Sequence, residues 1–173
     1  MEFQIVDYNE FIKNKDYYYE QIPKAQNAKE KYKQYIFNYY NDVLKNKKAF
    51  SSICKIDNEI VGIATVIYYK EENKYFLINV NTRKDCQNKK IGTNVVKNGI
   101  KHFFDNNIEN ELYLWVNKDN NIAKKLYNNI GFKQTSYFPE KLEFAKNIKN
   151  DDIFCITKKD FIKKYSIQKK EFI

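Results

Sequence analysis

The sequence is poor in the residues that commonly mark turns, cross-links and metal sites. Its 173 residues include four glycines, two prolines, three cysteines and one histidine. Because the cysteines are far apart, odd in number and outside any CxxC or Cys/His cluster, neither a disulfide framework nor a zinc site is expected. No apolar run approaches the roughly 20 residues that span a bilayer, and the acidic N-terminal segment does not resemble a signal peptide. We therefore expect a cytoplasmic protein with no membrane segment and no bound metal.

What the chain has instead is a hydrophobic content of 43%, an aromatic content of 17% and a formal charge of +9. This content suffices for a hydrophobic core, and the length suits one domain. The positive charge would suit a nucleic-acid or phosphate-rich partner. However, the lysines are spread over every segment, which argues against a dedicated nucleic-acid interface.

A polar, basic loop that runs into an amphipathic helix organises the chain over Gln87–Phe104. The apolar residues of this helix recur at helical spacing: Ile91, Val95, Val96, Ile100, Phe103 and Phe104. Gly92 and Thr93 fall in its first turn, where backbone N–H groups have no internal partner and the helix dipole is positive. A strand-like run, Tyr75–Val80, lies just upstream. A strand, a polar loop and a helix N-terminus in this order predict a nucleotide or coenzyme pyrophosphate site.

The remaining patterns predict a mixed α/β fold with one right-handed parallel crossover across the organising helix. Strands are predicted at Glu2–Asp7, Ala49–Ile56, Glu59–Tyr69, Lys74–Asn81, Asn110–Asn117 and Asp151–Lys158. Helices are predicted at Tyr8–Gln21, Lys24–Lys45 and Asp119–Ile130, followed by an extended stretch over Phe132–Phe144 and a basic tail from Asp160. Gly62, inside a strand pattern, indicates a bulge or a close backbone approach.

Two short motifs lie on either side of the predicted fifth strand. The later one is Leu114-Trp115-Val116, then Asn120, Ala123, Leu126-Tyr127 and Gly131-Phe132. The earlier one is Gln87-Asn88-Lys89-Lys90-Ile91-Gly92. Over roughly Glu59–Lys158 the chain thereby resembles the GNAT superfamily of acyl-CoA N-acyltransferases. The later motif matches the family pattern LxV…NxxAxxLYxxxGF throughout, and the earlier one matches R/Q-x-x-G-x-G/A except that Lys90 replaces the first glycine.

The resemblance implies a single GNAT domain over residues 1–173. Its sheet would be mixed and mostly antiparallel, with about seven strands, a central strand–helix–strand unit, and fourth and fifth strands that splay apart. Residues 1–58 would shape the acceptor side, and residues 59–158 would form the coenzyme-binding core and the last hairpin. Residues 159–173 would form a basic C-terminal tail.

The resemblance also implies a site for acetyl-CoA. Its pyrophosphate would bind the loop and helix start at Gln87, Asn88, Lys89, Lys90, Ile91, Gly92 and Thr93. Its pantetheine arm would pair with the strand edge at Ile78, Asn79 and Val80. Further contacts would come from Asn120, Ala123, Lys124 and Tyr127. The lysine at position 90 is expected to be tolerated only if its backbone avoids a positive φ.

For catalysis, the resemblance implies that the backbone N–H of Val80 stabilises the oxyanion and that Tyr127 is the general acid for the departing thiolate. A general base is not evident in the sequence. Glu111 is a candidate at the start of the predicted fifth strand, Glu71 and Glu72 fall in a turn, and a water chain would be sufficient.

These implications predict an N-acetyltransferase that moves an acetyl group from acetyl-CoA to a primary amine of a small molecule or protein, by direct attack in a ternary complex. The enzyme would be a monomer or a homodimer. Two alternatives remain open. Lys90 and the missing base leave room for a non-catalytic acyl-CoA-binding or regulatory module, and the +9 charge leaves room for an acetyltransferase acting on aminoacyl-tRNA.

Overall fold

The computed structural model describes residues 1–7, 49–106, 108–142 and 145–170. The predicted helices Tyr8–Gln21 and Lys24–Lys45 lie outside the described residues. The strands are β1 Glu2–Val6, β2 Ala49–Ile56, β3 Glu59–Tyr69, β4 Lys74–Thr82, β5 Glu111–Asn117, β6 Lys133–Gln134 and β7 Asp151–Thr157. The described helices are α1 Ile91–Asp105, α2 Asn121–Ile130 and α3 Lys158–Lys170, with short 3-10 turns at Lys84–Cys86 and Ala145–Ile148.

The strands form one seven-stranded mixed sheet in the order β1-β2-β3-β4-β5-β7-β6. The β1–β2, β2–β3, β5–β7 and β6–β7 pairs are antiparallel. β4 and β5 are parallel, with Phe76 opposite Tyr113 near the N-terminal end of each strand, and α1 lies between them in the chain. The predicted mixed α/β fold with one parallel crossover is therefore confirmed.

The β2–β3 hairpin follows directly from its turn residues. Asp57 and Asn58 have φ values of 51° and 65°, as the tight two-residue turns that match the twist of a hairpin require. Further along the pair, Cys54 lies opposite Gly62 but the next residue of β2 lies opposite Ile60, so β3 carries one extra residue. The bulge expected from Gly62 is therefore present beside that residue.

The contacts of the chain divide it into two compact units. The first unit comprises Met1–Tyr68 and Asn79–Gly99, and the second comprises Tyr69–Ile78 and Ile100–Ile173. Buried apolar residues of the first include Ile53, Cys54, Val61, Val66, Ile67, Ile91, Val95 and Val96. Those of the second include Phe76, Phe103, Phe104, Leu112, Leu114, Ile130, Phe132 and Ile156. Leu112, Tyr113 and Leu114 are consecutive buried residues of β5, a pattern typical of a strand covered on both faces. The buried residues of α1 recur at helical spacing, in agreement with the periodicity of the sequence.

Gly62 leaves no room for a side chain in the first unit. A Cβ built on Gly62 would lie 2.5 Å from Cγ2 of Ile91, the first residue of α1. We expect Gly62→Ala to lower the free energy of unfolding by about 1–3 kcal/mol, because the added methyl group must displace a branched side chain close to its backbone. Urea unfolding monitored by circular dichroism measures the change.

Gly99→Ala is the matched control, since Gly99 is also buried but its built Cβ meets only Ser52 Cβ at 3.4 Å. There alanine should be neutral or stabilising by up to about 1 kcal/mol, as expected inside a helix. Adding Ile91→Ala to Gly62→Ala should relieve part of the clash, so the two losses should not add. Equal losses at Gly62 and Gly99 would contradict this account of Gly62.

Two segments differ from their sequence-based predictions. Among the described residues of the predicted extended stretch, only Lys133–Gln134 pairs as a strand. The backbone then turns, and the Leu142 N–H donates to the carbonyl of Pro139 at 3.3 Å. At the C-terminal end, helix α3 begins at Lys158, before the predicted tail. The Thr157 hydroxyl accepts from the Asp160 N–H at 3.1 Å, so the last strand residue also caps the helix.

Candidate functional site

In the first unit, the N-terminus of α1 presents unused backbone donors beside basic side chains. The first helical hydrogen bond runs from the Asn94 N–H to the Lys90 carbonyl at 3.0 Å, so the N–H groups of Ile91, Gly92 and Thr93 precede the bonded helix. The first turn contains no acidic residue, and the side chains of Lys89 and Lys90 are exposed. This arrangement favours an anion through both the helix dipole and the lysine charges.

The loop before α1 contains left-handed residues that are not glycine. Asn88 has a φ of 64° and Lys90 a φ of 60°. The expectation that Lys90 avoids a positive φ is therefore wrong: its backbone keeps the conformation that a glycine would adopt freely, at a cost of about 1–2 kcal/mol. Left-handed residues in such loops turn backbone N–H groups toward a common point, as in anion-binding nests.

Lys90→Gly should give a more stable protein than Lys90→Ala, by about 1 kcal/mol, because only glycine removes the left-handed strain. Both variants lose the same charge, so the difference isolates the backbone term. Lys89, which has no positive φ, is the control: there the alanine variant should be the more stable one. Chemical denaturation of the four variants tests this, and the same ranking at both positions would contradict it.

Arg83 holds the segment that leads into this loop. Its backbone N–H donates to the Val61 carbonyl at 2.8 Å, and its Nε donates to Asp85 Oδ1 at 2.7 Å. Its guanidinium also contacts the Glu59 carboxylate, and its Nη2 lies 3.6 Å from Cys86 Sγ. These contacts fold the residues just before Gln87 into a compact 3-10 turn and bury the Cys86 thiol, which is 3% exposed.

The middle of β4 contains a backbone irregularity at Asn79. This residue has a φ of 55° and lies between Ile78 and Val80, all three of them half-buried. Asparagine tolerates the left-handed region better than most residues, and a left-handed residue inside a strand re-aims the peptide groups that follow it. The low strand preference of asparagine was the signal in the sequence for this irregularity.

In the second unit, the later sequence motif defines the two ends of α2. Asn120 is the N-cap, and its Oδ1 accepts from the Ala123 N–H at 3.1 Å. At the other end, the N–H groups of Gly131 and Phe132 each donate to the Tyr127 carbonyl at 3.0 Å. The helix caps therefore give most of the motif a structural explanation.

The phenol of Tyr127 is the part of this motif that the helix does not use. Tyr127 is 8% exposed, and its ring makes an edge-on contact with Phe132 at a centroid distance of 5.8 Å. Burial raises the pKa of Tyr127 to about 12, so the hydroxyl stays protonated at neutral pH. None of the described residues forms a hydrogen bond with this hydroxyl. It is therefore a neutral hydrogen-bond donor.

Lys124, predicted to contact the coenzyme, forms an ion pair within the protein. Its Nζ lies 2.5 Å from Asp152 Oδ2, and the two side chains are 23% and 11% exposed. The Gln134 amide donates to the other oxygen of Asp152 at 3.0 Å. These contacts join α2 to β6 and β7.

A cluster that sequence reasoning missed surrounds Lys74 at the start of β4. Its Nζ lies 4.6 Å from the ring centroid of Tyr113 and 5.1 Å from that of Tyr137, and 3.3 Å from the Tyr113 hydroxyl. The Tyr113 hydroxyl donates to Glu111 Oε2 at 2.7 Å, and Lys74 Nζ lies 3.9 Å from the same oxygen. Glu111, the candidate base, is therefore already bound to two groups.

Glu72, in the β3–β4 turn, also belongs to this cluster. Its Oε2 accepts from the Tyr137 hydroxyl at 2.6 Å, and its Oε1 accepts from the Lys141 backbone N–H at 2.6 Å. Burial, with the adjacent carboxylate next in importance, raises the pKa of the Tyr137 hydroxyl; the same holds for Tyr113 beside Glu111. Both phenols are thus held in the neutral form. Tyr137 follows Glu72 by 65 residues, and no local pattern connects them.

The two units hold different parts of the predicted site. Asn79, Val80 and the loop and helix start at Gln87–Thr93 belong to the first. Ile78, Asn120, Ala123, Lys124 and Tyr127 belong to the second. Across the described ranges, no group of three or more His, Cys, Asp or Glu side chains is arranged to hold a metal ion. The helices in the same ranges include none with the length and apolarity needed to cross a membrane.

Comparison with known proteins identifies the fold and the family. The chain is similar to an acetyltransferase of the GNAT family from Staphylococcus aureus, with 18% identity and a TM-score of 0.64, over 90% of this chain and 99% of that one. It is also similar to the spermidine N-acetyltransferase SpeG from Vibrio cholerae, with 12% identity and a TM-score of 0.67, over 95% and 99%. A PaiA N-acetyltransferase from Thermoplasma acidophilum, solved with coenzyme A, has 15% identity and a TM-score of 0.58, over 91% and 99%.

At these identities the solved structures show the fold alone. No curated protein matches the sequence. The model of the acetyltransferase (GNAT) family matches residues 13–132, more than half of the chain, and so extends the resemblance upstream of Glu59. The protein belongs to the GNAT family of acetyltransferases and is an acyltransferase.

Proposed function

We propose that the protein is an N-acetyltransferase that transfers an acetyl group from acetyl-CoA to a primary amine by direct attack in a ternary complex. The observation that carries this proposal is the start of α1, with its unbonded N–H groups, left-handed loop residues and exposed lysines. This arrangement suits a diphosphate, the group that joins the adenosine of acetyl-CoA to its pantetheine arm. Gln87–Thr93 would bind it.

The strand edge at Ile78–Val80 would bind the pantetheine arm through backbone hydrogen bonds. The irregularity at Asn79 supports a role for the following N–H, because it re-aims the peptide group of Val80 away from the regular strand direction. In this proposal the Val80 N–H stabilises the oxyanion that forms when the amine attacks the thioester. One such donor is typically worth about 3 kcal/mol in the transition state.

Tyr127 would serve as the acid toward the departing thiolate. An ordinary thiol has a pKa of about 8.5, whereas burial raises the pKa of Tyr127 to about 12. Complete proton transfer from the phenol would therefore be uphill by about 5 kcal/mol. We infer that Tyr127 acts mainly by hydrogen bonding to the developing negative charge on sulfur, and that the thiolate then takes its proton from solvent.

The attacking amine must first lose a proton, since a typical ammonium has a pKa of about 10. Glu111 is bound to Tyr113 and lies close to Lys74, which makes it a poor base. We propose that this proton leaves through water to the bulk solvent, and that the second proton, which the nitrogen loses when the tetrahedral intermediate collapses to the amide, follows the same route. The reaction then needs no basic side chain in direct contact with the amine.

Thiol release from acetyl-CoA in the presence of a panel of primary amines tests the function. We expect amine-dependent release of one thiol per acetylated amine. Tight coenzyme binding without thiol release would instead support the non-catalytic acyl-CoA-binding module. RNA binding that weakens steeply with salt would favour an acceptor on aminoacyl-tRNA.

A further inference from the structure

The ammonium group of Lys74 occupies a site built from two tyrosine rings and a carboxylate. The ring centroids of Tyr113 and Tyr137 lie 5.0 Å apart, with their planes tilted by 58°. Lys74 Nζ lies within the roughly 6 Å over which a cation is attracted to each ring. The structure thus shows a cation bound in this cluster, and that cation is a side chain of the protein itself.

The charges of the cluster leave room for a cation. Glu72 and Glu111 contribute two carboxylates, and Lys74 contributes one ammonium, in a chain whose formal charge is +9. The two phenols are neutral and donate hydrogen bonds to these carboxylates. A locally negative cluster in a strongly basic chain is a selective place for a small cation.

The contacts of Lys74 are ones that a flexible side chain can exchange. Its hydrogen bond to the Tyr113 hydroxyl is 3.3 Å long and its separation from Glu111 is 3.9 Å, both at the weak end of their ranges. The side chain is 29% exposed, and that of Glu111 is 47% exposed. A lysine on its four-carbon stem can therefore swing outward while the rings and carboxylates stay in place.

The cluster also adjoins the strand edge proposed for the coenzyme. Beneath the Lys74 cluster lies a group of three buried residues: Phe76, Tyr113 and Ile153. Ile78, whose backbone is proposed to bind the pantetheine arm, packs against these three residues within the same unit. Trp115, the only tryptophan of the chain, packs there too, with its ring 5.3 Å from that of Phe76.

We propose that this cluster binds a second cationic group of the amine acceptor, so that the acceptor is a small di- or polyamine. Lys74 fills the site in the free enzyme and leaves when the acceptor binds. The proposal rests on the proposed acetyltransferase function and adds the acceptor class to it. Tyr113, Tyr137, Glu72 and Glu111 are the residues that recognise the second charge.

The first test compares linear α,ω-diamines with monoamines of matched length in the thiol-release assay. We expect a preferred diamine length whose kcat/KM exceeds that of the matched monoamine by about 10-fold, the size expected for one partly desolvated cation–π contact. Monoamines that perform as well as diamines at every length would overturn the proposal.

Substitutions at Tyr137 test the ring directly. Tyr137→Leu should remove most of the diamine preference while leaving monoamine kinetics unchanged, because only the second charge contacts this ring. Tyr137→Phe keeps the aromatic face and should keep most of the preference. An equal loss for diamines and monoamines in Tyr137→Leu would show a merely structural role and would refute the proposal.

Lys74→Met tests whether the Lys74 ammonium competes with the acceptor for the site, because methionine keeps much of the aliphatic side chain but lacks the ammonium. It should lower KM for the preferred diamine several-fold and leave KM for the monoamine unchanged. Lys141→Met carries the same change in net charge and is the control, since Lys141 contacts Glu72 through its backbone. A similar drop in KM in both variants would mean that overall charge, not the vacated site, is responsible.

Fluorescence of Trp115 separates this proposal from the proposed function. Quenching by the diamine in the wild type, weakened in Tyr137→Leu, would support the cation site even if no amine were acetylated. Turnover of monoamines without any diamine response would leave the acetyltransferase function standing and overturn the cation site. The two hypotheses therefore fail under different results.

Discussion

Tyr127→Phe is expected to lower kcat by about 100-fold while changing the Kd for acetyl-CoA by less than about twofold. The substitution removes the phenolic proton but keeps the ring that contacts Phe132, so the second unit should fold normally. The loss should fall on kcat because the hydrogen bond to the thiolate forms only as the thioester breaks. Thiol-release kinetics and isothermal titration calorimetry measure the two quantities.

Tyr165→Phe is the matched control for Tyr127→Phe. The Tyr165 hydroxyl donates to the Ile130 carbonyl at 3.2 Å, so its removal should cost stability and leave kcat unchanged. The pH profile adds a second check. A pKa raised to about 12 means that Tyr127 stays protonated through pH 10, so the wild-type kcat should not fall there from loss of this proton. Equal kcat values for Tyr127→Phe and the wild type would exclude the proposed role.

Gly92→Asp should raise the Kd for acetyl-CoA by more than about 100-fold. The substitution places a carboxylate in the first turn of α1, where the diphosphate is proposed to bind, and like charges brought together in this way cost several kcal/mol. An acidic residue in the first turn complements the helix dipole. The variant should therefore keep its thermal stability while losing coenzyme binding, which distinguishes a binding defect from unfolding.

Gly92→Asn is the control for Gly92→Asp, because it adds nearly the same bulk without the charge. We expect its Kd to lie between those of the wild type and the aspartate variant. Calorimetry with acetyl-CoA and a thermal melt of each variant are sufficient. Unchanged coenzyme binding in Gly92→Asp would exclude the start of α1 as the phosphate site.

The elements that could be predicted from the sequence are those with a local signal. The β2–β3 hairpin agrees to the residue because Asp57-Asn58 separates two strand patterns. Helix α2 is predicted over Asp119–Ile130 and runs over Asn121–Ile130, with Asn120 and Gly131 as its caps. The parallel β4–β5 crossover followed from the order of strand, loop and helix. Periodicity and caps act within a few residues, so a single sequence contains them.

The features that the sequence did not predict depend on contacts between distant segments. Lys90 has a positive φ although a lysine side chain disfavours the left-handed region, and no local pattern indicates this conformation. The cluster around Lys74 joins the start of β4 to Tyr137, which lies in a segment predicted to be extended. Pro139 and the hydrogen bonds of Glu72 bend that loop instead, and neither effect has a periodic pattern.

The scarcity of glycine has a kinetic consequence for the coenzyme loop. All four glycines lie at positions 62, 92, 99 and 131, in β3, in α1 and just after α2, so the loop residues Asn88 and Lys90 take up left-handed backbone with side chains attached. A loop without glycine samples fewer shapes before it meets a ligand. The loop should therefore already have its binding conformation before the diphosphate arrives. Association should be a single step, without a slower rearrangement of the loop after the first encounter.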